Sequence, residues 1–113
     1  METPKTQLLA HAMKAYTWRL KTLASNIANM DTPGYRRMEV SFEKLLQEAQ
    51  HSVESPRSIT DVQPKISFQD QPPILENELL ELADTQMRTQ LVTRALREHF
   101  TLLRTGITGR SNG

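Results

Sequence analysis

Leu9, Met13, Tyr16, Leu20, Leu23 and Ile27 recur at spacings of 4, 3, 4, 3 and 4, an unbroken apolar seam across nearly three heptads. The spacing predicts an amphipathic helix over residues 5–29, roughly 37 Å long at 1.5 Å per residue. Thr3 or Thr6 can cap its start, with Pro4 tolerated in the first turn. A seam this narrow needs a partner helix. After residue 35 the pattern changes: Met38, Val40 and Phe42 alternate with Arg37, Glu39 and Ser41, the period of a half-buried extended segment. Phe42 to Ala49 also suits about two turns of helix, so residues 30–50 read as a turn followed by an extended or short helical piece.

Residues 51–73 carry Pro56, Pro64, Pro72 and Pro73 among Ser, Gln and Asp. Val53, Ile59, Val62, Ile66 and Phe68 are too thinly spread there to build a core, and at most a short strand pair is expected between Ile59 and Phe68. A loop of this length is uncommon inside a compact domain and points to a segment ordered by partners. A second long helix is expected over residues 74–106, with Gly106 and Gly109 as stop signals and a tail at 107–113. Leu75, Leu79, Leu82, Leu96, Phe100, Leu103 and Ile107 share one heptad frame, interrupted by Gln86, Thr89 and Thr93. A parallel line, Leu79, Ala83, Met87 and Leu91, drifts off it. A helix with one stripe early and another late can touch more than one neighbour, and its polar middle weakens a simple two-helix coil. The expected fold is mainly α, in a single domain. Two long terminal helices pair as a coiled-coil-like hairpin, joined by a proline-marked middle with little regular structure.

Between the first helix and the middle lies the most informative stretch, Leu23 to Arg37, LASNIANMDTPGYRR. Ala24 to Asn29 is a last helical turn of small and amide residues, and Asp31-Thr32-Pro33-Gly34 ends it. Proline lacks an amide hydrogen and disfavours α geometry in the residue before it, while glycine takes positive φ without penalty. Asn29 and Asp31 have short polar side chains that bond to nearby backbone, which favours caps and turns.

Charge adds an orientation question. Lys5, Lys14, Arg19 and Lys21 lie on the first helix with no acid between Lys5 and Asn29. Glu76, Glu78, Glu81 and Asp84 crowd the start of the second, where anions suit the positive helix end, and Arg88, Arg94, Arg97 and Arg104 follow. An antiparallel hairpin would set those acids near Arg36-Arg37 but bring the two basic ends together, so charge alone leaves the orientation open. The basic first helix also suits a membrane surface, but its narrow seam and single Trp18 favour a helix partner.

Composition narrows the function classes. The 113 residues carry 14 Lys plus Arg against 13 Asp plus Glu, a net charge of +1 that argues for neither nucleic acid nor lipid binding. With no cysteine there is no disulfide and no thiolate metal site. No apolar run approaches a membrane span, and the spaced apolar residues of the N-terminus do not make a cleavable secretory signal. His11, His51 and His99 are isolated on different elements, so no metal site is expected. The four glycines, Gly34, Gly106, Gly109 and Gly113, form no phosphate loop. No catalytic constellation and no cofactor are expected, and the chain is not read as an enzyme.

Asn26, Ile27, Asn29, Asp31, Thr32, Pro33, Gly34 and Tyr35, set after a basic amphipathic helix, resemble the N-terminal signature of the bacterial flagellar rod and hook axial family. The C-terminal half, ELADTQMR at 81–88 followed by LVTRAL at 91–96 and FTLLR at 100–104, is similar to the B-type proximal rod branch. Thr89 departs from it, standing where that branch often has an aromatic. The Asn-Val-Asp or Ala-Tyr-Gln-Ala-Asn patterns of the hook, distal rod and C-type branches are absent. The resemblance implies a structural subunit of the basal body, exported without a cleavable signal through the flagellar type III apparatus. Its terminal helices would pack into a helical tube that transmits torque. The implied partners are other rod subunits, with ring-adaptor and export-gate proteins at the base. The implied assembly residues are Leu9, Met13, Tyr16, Leu20, Leu23 and Ile27 on the first helix, Asn26, Asn29, Asp31, Thr32, Pro33, Gly34 and Tyr35 at the turn, and Leu82, Met87, Leu91, Leu96, Phe100 and Leu103 on the second helix. The contrasting reading is a soluble helical adaptor or export chaperone that folds alone as a hairpin, or another proximal rod paralogue.

Overall fold

Two long helices, a short helix and a small ribbon make up the described residues. A computed structural model describes residues 4–51 and 62–112, with side chains described over 5–47 and 62–106. Helix α1 (Pro4–Ala28) leads through a turn to strand β1 (Met38–Ser41) and helix α2 (Glu43–His51). Strand β2 (Lys65–Phe68) and helix α3 (Leu75–Asn112) follow. The structure is mainly helical, with a less regular middle. Thr3, Val53, Pro56 and Ile59 lie outside the described residues, as does the side chain of Ile107.

α1 and α3 run antiparallel: Thr6 meets His99 (2.8 Å) near one end and Asn26 meets Glu78 (3.1 Å) near the other. This settles the orientation that charge left open. The attracting end forms ion pairs between Arg37 and the first turns of α3. At the basic end, the Thr6–His99 bond lies among residues of like charge.

The packed faces differ from the apolar seams. On α1 the buried positions are Thr6, Ala12, Ala15, Tyr16, Thr22, Leu23 and Asn26. At about 100° per residue this face is centred roughly 80° around the helix from the heptad seam. Tyr16 and Leu23 belong to both, whereas Leu9, Met13, Leu20 and Ile27 are only half-buried at its edge. Small residues win the face because they let the ribbon and α3 approach closely, and counting bulky apolar positions cannot detect that. On α3 the facing positions Glu78, Thr85, Val92 and His99 recur every seven residues, but three of the four are polar. The expected apolar seam is therefore not what joins the two helices. Leu82, Leu96 and Leu103 are half-buried beside it, and Leu75, Leu79 and Phe100 are exposed.

The polar middle of α3 is satisfied locally. Thr85, Thr89 and Thr93 each turn the hydroxyl back to the carbonyl four residues earlier, at 2.7, 2.8 and 2.8 Å. This leaves their methyl groups available for packing, and Thr85 is 1% exposed.

The apolar core is small. Phe42 is buried with Ala12, Ala15, Tyr16 and Val62, and Leu45, Leu46 and Val92 pack against it. Val62 thus joins the core although its stretch of sequence is apolar-poor. It is brought there by β2, which pairs antiparallel with β1 in the register Met38↔Phe68 and Val40↔Ile66. The pairing that residues 65–68 make is therefore long-range, while the start of the stretch from Ile59 to Phe68 in which a local strand pair was expected lies outside the described residues. α3 also continues past the expected stop at residue 106, through Asn112, since Gly106 does not take the positive φ by which a glycine ends a helix. The molecule is elongated, 65 × 34 × 16 Å with a radius of gyration of 18.0 Å. A compact domain of this length would have about 13 Å.

Candidate functional site

The turn after α1 folds in two parts with different jobs. The first is a helix stop. The Asn29 side chain donates to the Ser25 carbonyl (2.9 Å) and its backbone carbonyl accepts from Thr32 N–H (3.0 Å). Tyr35 N–H then donates to the Thr32 carbonyl at 3.1 Å, with Gly34 at φ +76°. Proline at the second position and a positive-φ glycine at the third make Thr32-Pro33-Gly34-Tyr35 a type II turn. Asp31, Thr32, Pro33 and Gly34 are all exposed. They shape the turn and face outward.

The second part is a buried polar lock centred on Asn26, which is 0% exposed. Its Nδ2 donates to the Met38 carbonyl (2.9 Å) and to Glu78 Oε2 (3.1 Å). Its Oδ1 accepts from Met38 N–H (2.8 Å) and from the Tyr35 hydroxyl (3.0 Å), which also meets Ser25 Oγ at 3.0 Å. One amide therefore joins the end of α1, the start of β1 and the start of α3. An asparagine has two donors and an acceptor oxygen with two lone pairs, and all four capacities are used.

Glu78 is fully buried and anchors the lock. Arg37 Nε donates to Glu78 Oε1 at 2.8 Å, and Arg37 Nη2 reaches Glu78 Oε2 and Glu81 Oε2 at 3.4 and 3.3 Å. The hydrogen bond to Glu78 holds the Arg37 guanidinium above its ordinary pKa. Glu81, half-exposed at the rim, is shifted upward because burial outweighs its attraction to Arg37. Beside the lock lies an open groove of about 410 Å³ at the start of α3, lined by Arg37, Glu39, Glu78 and Glu81 together with Ile74 and Leu80.

A second ion pair fastens the middle of α1. Arg19 donates from Nη1 and Nη2 to both carboxylate oxygens of Glu43 at 2.8 Å and to the Val40 carbonyl at 2.9 Å. This fork holds the Glu43 carboxyl down at about 2, from an ordinary 4.5, and raises the Arg19 pKa. Arg37, Glu78, Arg19 and Glu43 are not among the residues singled out from sequence. The complementary charges of Arg36-Arg37 and the α3 acids were the available signal; nothing local pairs Arg19 with Glu43.

The sequence-predicted residues divide accordingly. Asn26, Tyr35, Tyr16 and Leu23 meet in the interior or the lock. Leu9, Met13, Leu20, Ile27, Leu82, Leu96 and Leu103 sit half-buried along the helix pair. Met87, Leu91 and Phe100 are 60%, 57% and 52% exposed. His99 bonds Thr6, and His11 lies 3.4 Å from Gln63, while the side chain of His51 lies outside the described residues. No helix among the described residues is long and apolar enough to cross a membrane.

The comparisons fall on this same region. A family model described as flagella basal body rod protein matches residues 7–36, from the second turn of α1 to the residue before Arg37. The flagellar basal body rod protein FlgB of Aeromonas hydrophila is 44% identical over 41 residues, 36% of this chain and 31% of that protein. The match thus spans about a third of that relative's length. FlgB of Bacillus subtilis (strain 168) is 29% identical over 119 residues, covering 91% of this chain and 92% of that protein. The family match ends where the lock begins to reach across to α3, and the likeness to the Bacillus protein continues through it. The family model and both relatives point the same way: the first third of the chain resembles flagellar basal body rod proteins, and the whole chain is similar to the Bacillus protein.

Proposed function

We propose that this chain is a non-enzymatic structural subunit of the proximal rod, assembling through its terminal helices into the helical shaft that transmits motor torque. The observation that carries this reading is the outer face of α3. Leu80, Met87, Leu91 and Leu102 are 69%, 60%, 57% and 72% exposed there. So many large apolar side chains along one helix mark a surface that a partner covers. In the assembled shaft, the half-buried residues Leu9, Met13, Leu20 and Ile27 on α1 and Leu82, Leu96 and Leu103 on α3, with exposed Phe100, complete coiled-coil-like seams between chains. Asp31 to Gly34 pack the outward turn on an adjacent subunit. The partners are other rod subunits, with ring-adaptor and export-gate proteins at the base. The chain reaches the periplasm through the flagellar type III apparatus.

The internal pairing of α1 with α3 also suits a soluble adaptor or export chaperone folding alone as a hairpin. Electron microscopy of basal bodies from a strain lacking the chain separates the two. Rings without a rod, with other rod subunits still leaving the cytoplasm, are expected for the structural role. The same rings with rod subunits retained in the cytoplasm favour the adaptor. Intact rods and normal swimming overturn both.

A further inference from the structure

The two edges of the ribbon differ. Gln69 N–H donates to the Arg37 carbonyl at 2.9 Å, and the register sets Glu39 against Ser67 and Ser41 against Lys65. In an antiparallel ladder these are the pairs that exchange hydrogen bonds. Met38 and Val40 therefore turn their backbone groups to the outer edge of β1, and Ile66 and Phe68 turn theirs to the outer edge of β2. The edge of β1 is closed by α1: the Met38 N–H and carbonyl both bond the Asn26 amide, and the Val40 carbonyl accepts from Arg19. The edge of β2 has no such cover among the described residues, and Ile66 and Phe68 are 42% and 59% exposed. Their side chains continue the sheet face on which Val40 is buried, so the apolar layer runs on past the last strand.

We infer that the open edge of β2 pairs with β2 of a second copy of this chain, antiparallel and centred on Ser67, to make one closed sheet from two ribbons. The edge is complementary to itself in that register. Ile66 of each copy faces Phe68 of the other, so the outward N–H and carbonyl groups of both residues find partners and the two apolar side chains cover each other. The strand ends carry opposite charge: Lys65 opens β2 and Asp70 follows it, and both are exposed. Antiparallel pairing brings each lysine to the end where the other copy's aspartate stands, whereas parallel pairing sets lysine beside lysine. Asp70 also meets Arg36 at 2.8 Å in the open, so Lys65 is the cation that gains most. Pro64 has no N–H to offer, which disfavours a register slipped toward it. A bare strand edge with apolar neighbours templates uncontrolled association, and a two-fold pair satisfies the edge and stops at two copies. The pairing goes beyond the rod reading and does not rest on it, because a shaft is built from open contacts and this contact is closed.

The chain has no cysteine, so an introduced thiol reports alone. Across the two-fold axis Ser67 faces Ser67 as a non-hydrogen-bonded pair, with Cα atoms about 4.5 Å apart and within disulfide range. Lys65 lies opposite Gln69 instead. Purified Ser67→Cys and Lys65→Cys chains are oxidised side by side in a glutathione buffer and followed by non-reducing electrophoresis. Ser67→Cys is expected to form a disulfide dimer at least tenfold faster than Lys65→Cys. Adding Phe68→Lys to Ser67→Cys is expected to slow it at least fivefold. Adding Ile66→Pro instead, which removes an outward N–H and leaves the bonds to β1 in place, is expected to do the same. Circular dichroism identifies which of these two edge variants keeps the helical content of the parent, and that variant decides. Equal rates for the two cysteines mean chance collision and overturn the proposal. A Ser67→Cys chain that stays monomeric overturns it too, as does a dimer that the folded edge variant fails to slow, since the copies then meet elsewhere. None of these outcomes touches the rod reading, which is decided by basal bodies from a strain lacking the chain.

Discussion

At the scale of single residues, the lock around Asn26 and Glu78 holds three elements at one point. A carboxylate that is fully buried is tolerable only because Arg37 and Asn26 satisfy it. Arg37→Met, which leaves that charge unpaired, is expected to destabilise the chain by about 3–5 kcal/mol in urea unfolding. Arg37→Met combined with Glu78→Met is expected to recover most of the loss, because two apolar groups then replace the pair. If the double variant is no more stable than the single one, the pair has a value beyond mutual compensation. The Arg19–Glu43 pair predicts a pH response. Glu43 has a folded pKa near 2 against 4.5 when unperturbed, so its contribution is fully present above pH 4.5 and is lost as pH falls through 2. Glu43 is partly exposed, so solvent screening limits that contribution to about 1 kcal/mol or less. Glu81 works in the opposite sense: its raised pKa weakens the fold at neutral pH and relaxes on acidification. Glu43→Gln should flatten the acid limb of a stability–pH profile between 4.5 and 2. An unchanged slope would mean that the fork is not maintained in solution.

At the scale of elements, the existence of α1 and α3 was legible and their contact was not. Tyr16 and Leu23 were found by periodicity because they are both bulky and buried. Ala12, Ala15 and Thr22 were missed because a search for large apolar residues passes over the small ones that permit close approach. Leu23→Ala removes a side chain only 1% exposed and is expected to cost about 2–5 kcal/mol. Thr85→Val is expected to change stability by less than about 0.5 kcal/mol. The hydroxyl it removes serves only the Glu81 carbonyl of its own helix, and the methyl that packs is kept. Thermal unfolding followed by circular dichroism checks both, and a large loss at Thr85→Val would show that its hydroxyl serves another partner. The ribbon was half legible. The alternation of Met38, Val40 and Phe42 announced β1, but the register that sends it to residues 65–68 depends on chain closure across the middle.

For the whole molecule, an elongated chain with a small core exposes apolar groups along much of its length, as a subunit of a larger assembly does. Ile27 and Leu96 are half-buried at the edges of the helix pair, where a neighbour would complete the contact. Ile27→Asp or Leu96→Asp is expected to abolish swimming while the chain is still detected outside the cytoplasm. A motile strain carrying either variant would remove these positions from the assembly surface.

The sequence by itself determined the two long helices, the stop at Asn29 to Gly34 and the resemblance to rod proteins, because periodicity, turn chemistry and a local signature are all properties of neighbouring residues. It also contained the charges that attract, Arg37 and the α3 acids. Only the tertiary structure decided which face of each helix is packed, that Glu78 rather than its neighbours is the buried acid, and that Arg19 clasps Glu43. These depend on how closely two backbones approach and on which side chain then loses its water. Both are set by the whole chain closing on itself, and no spacing of residues along one helix records them.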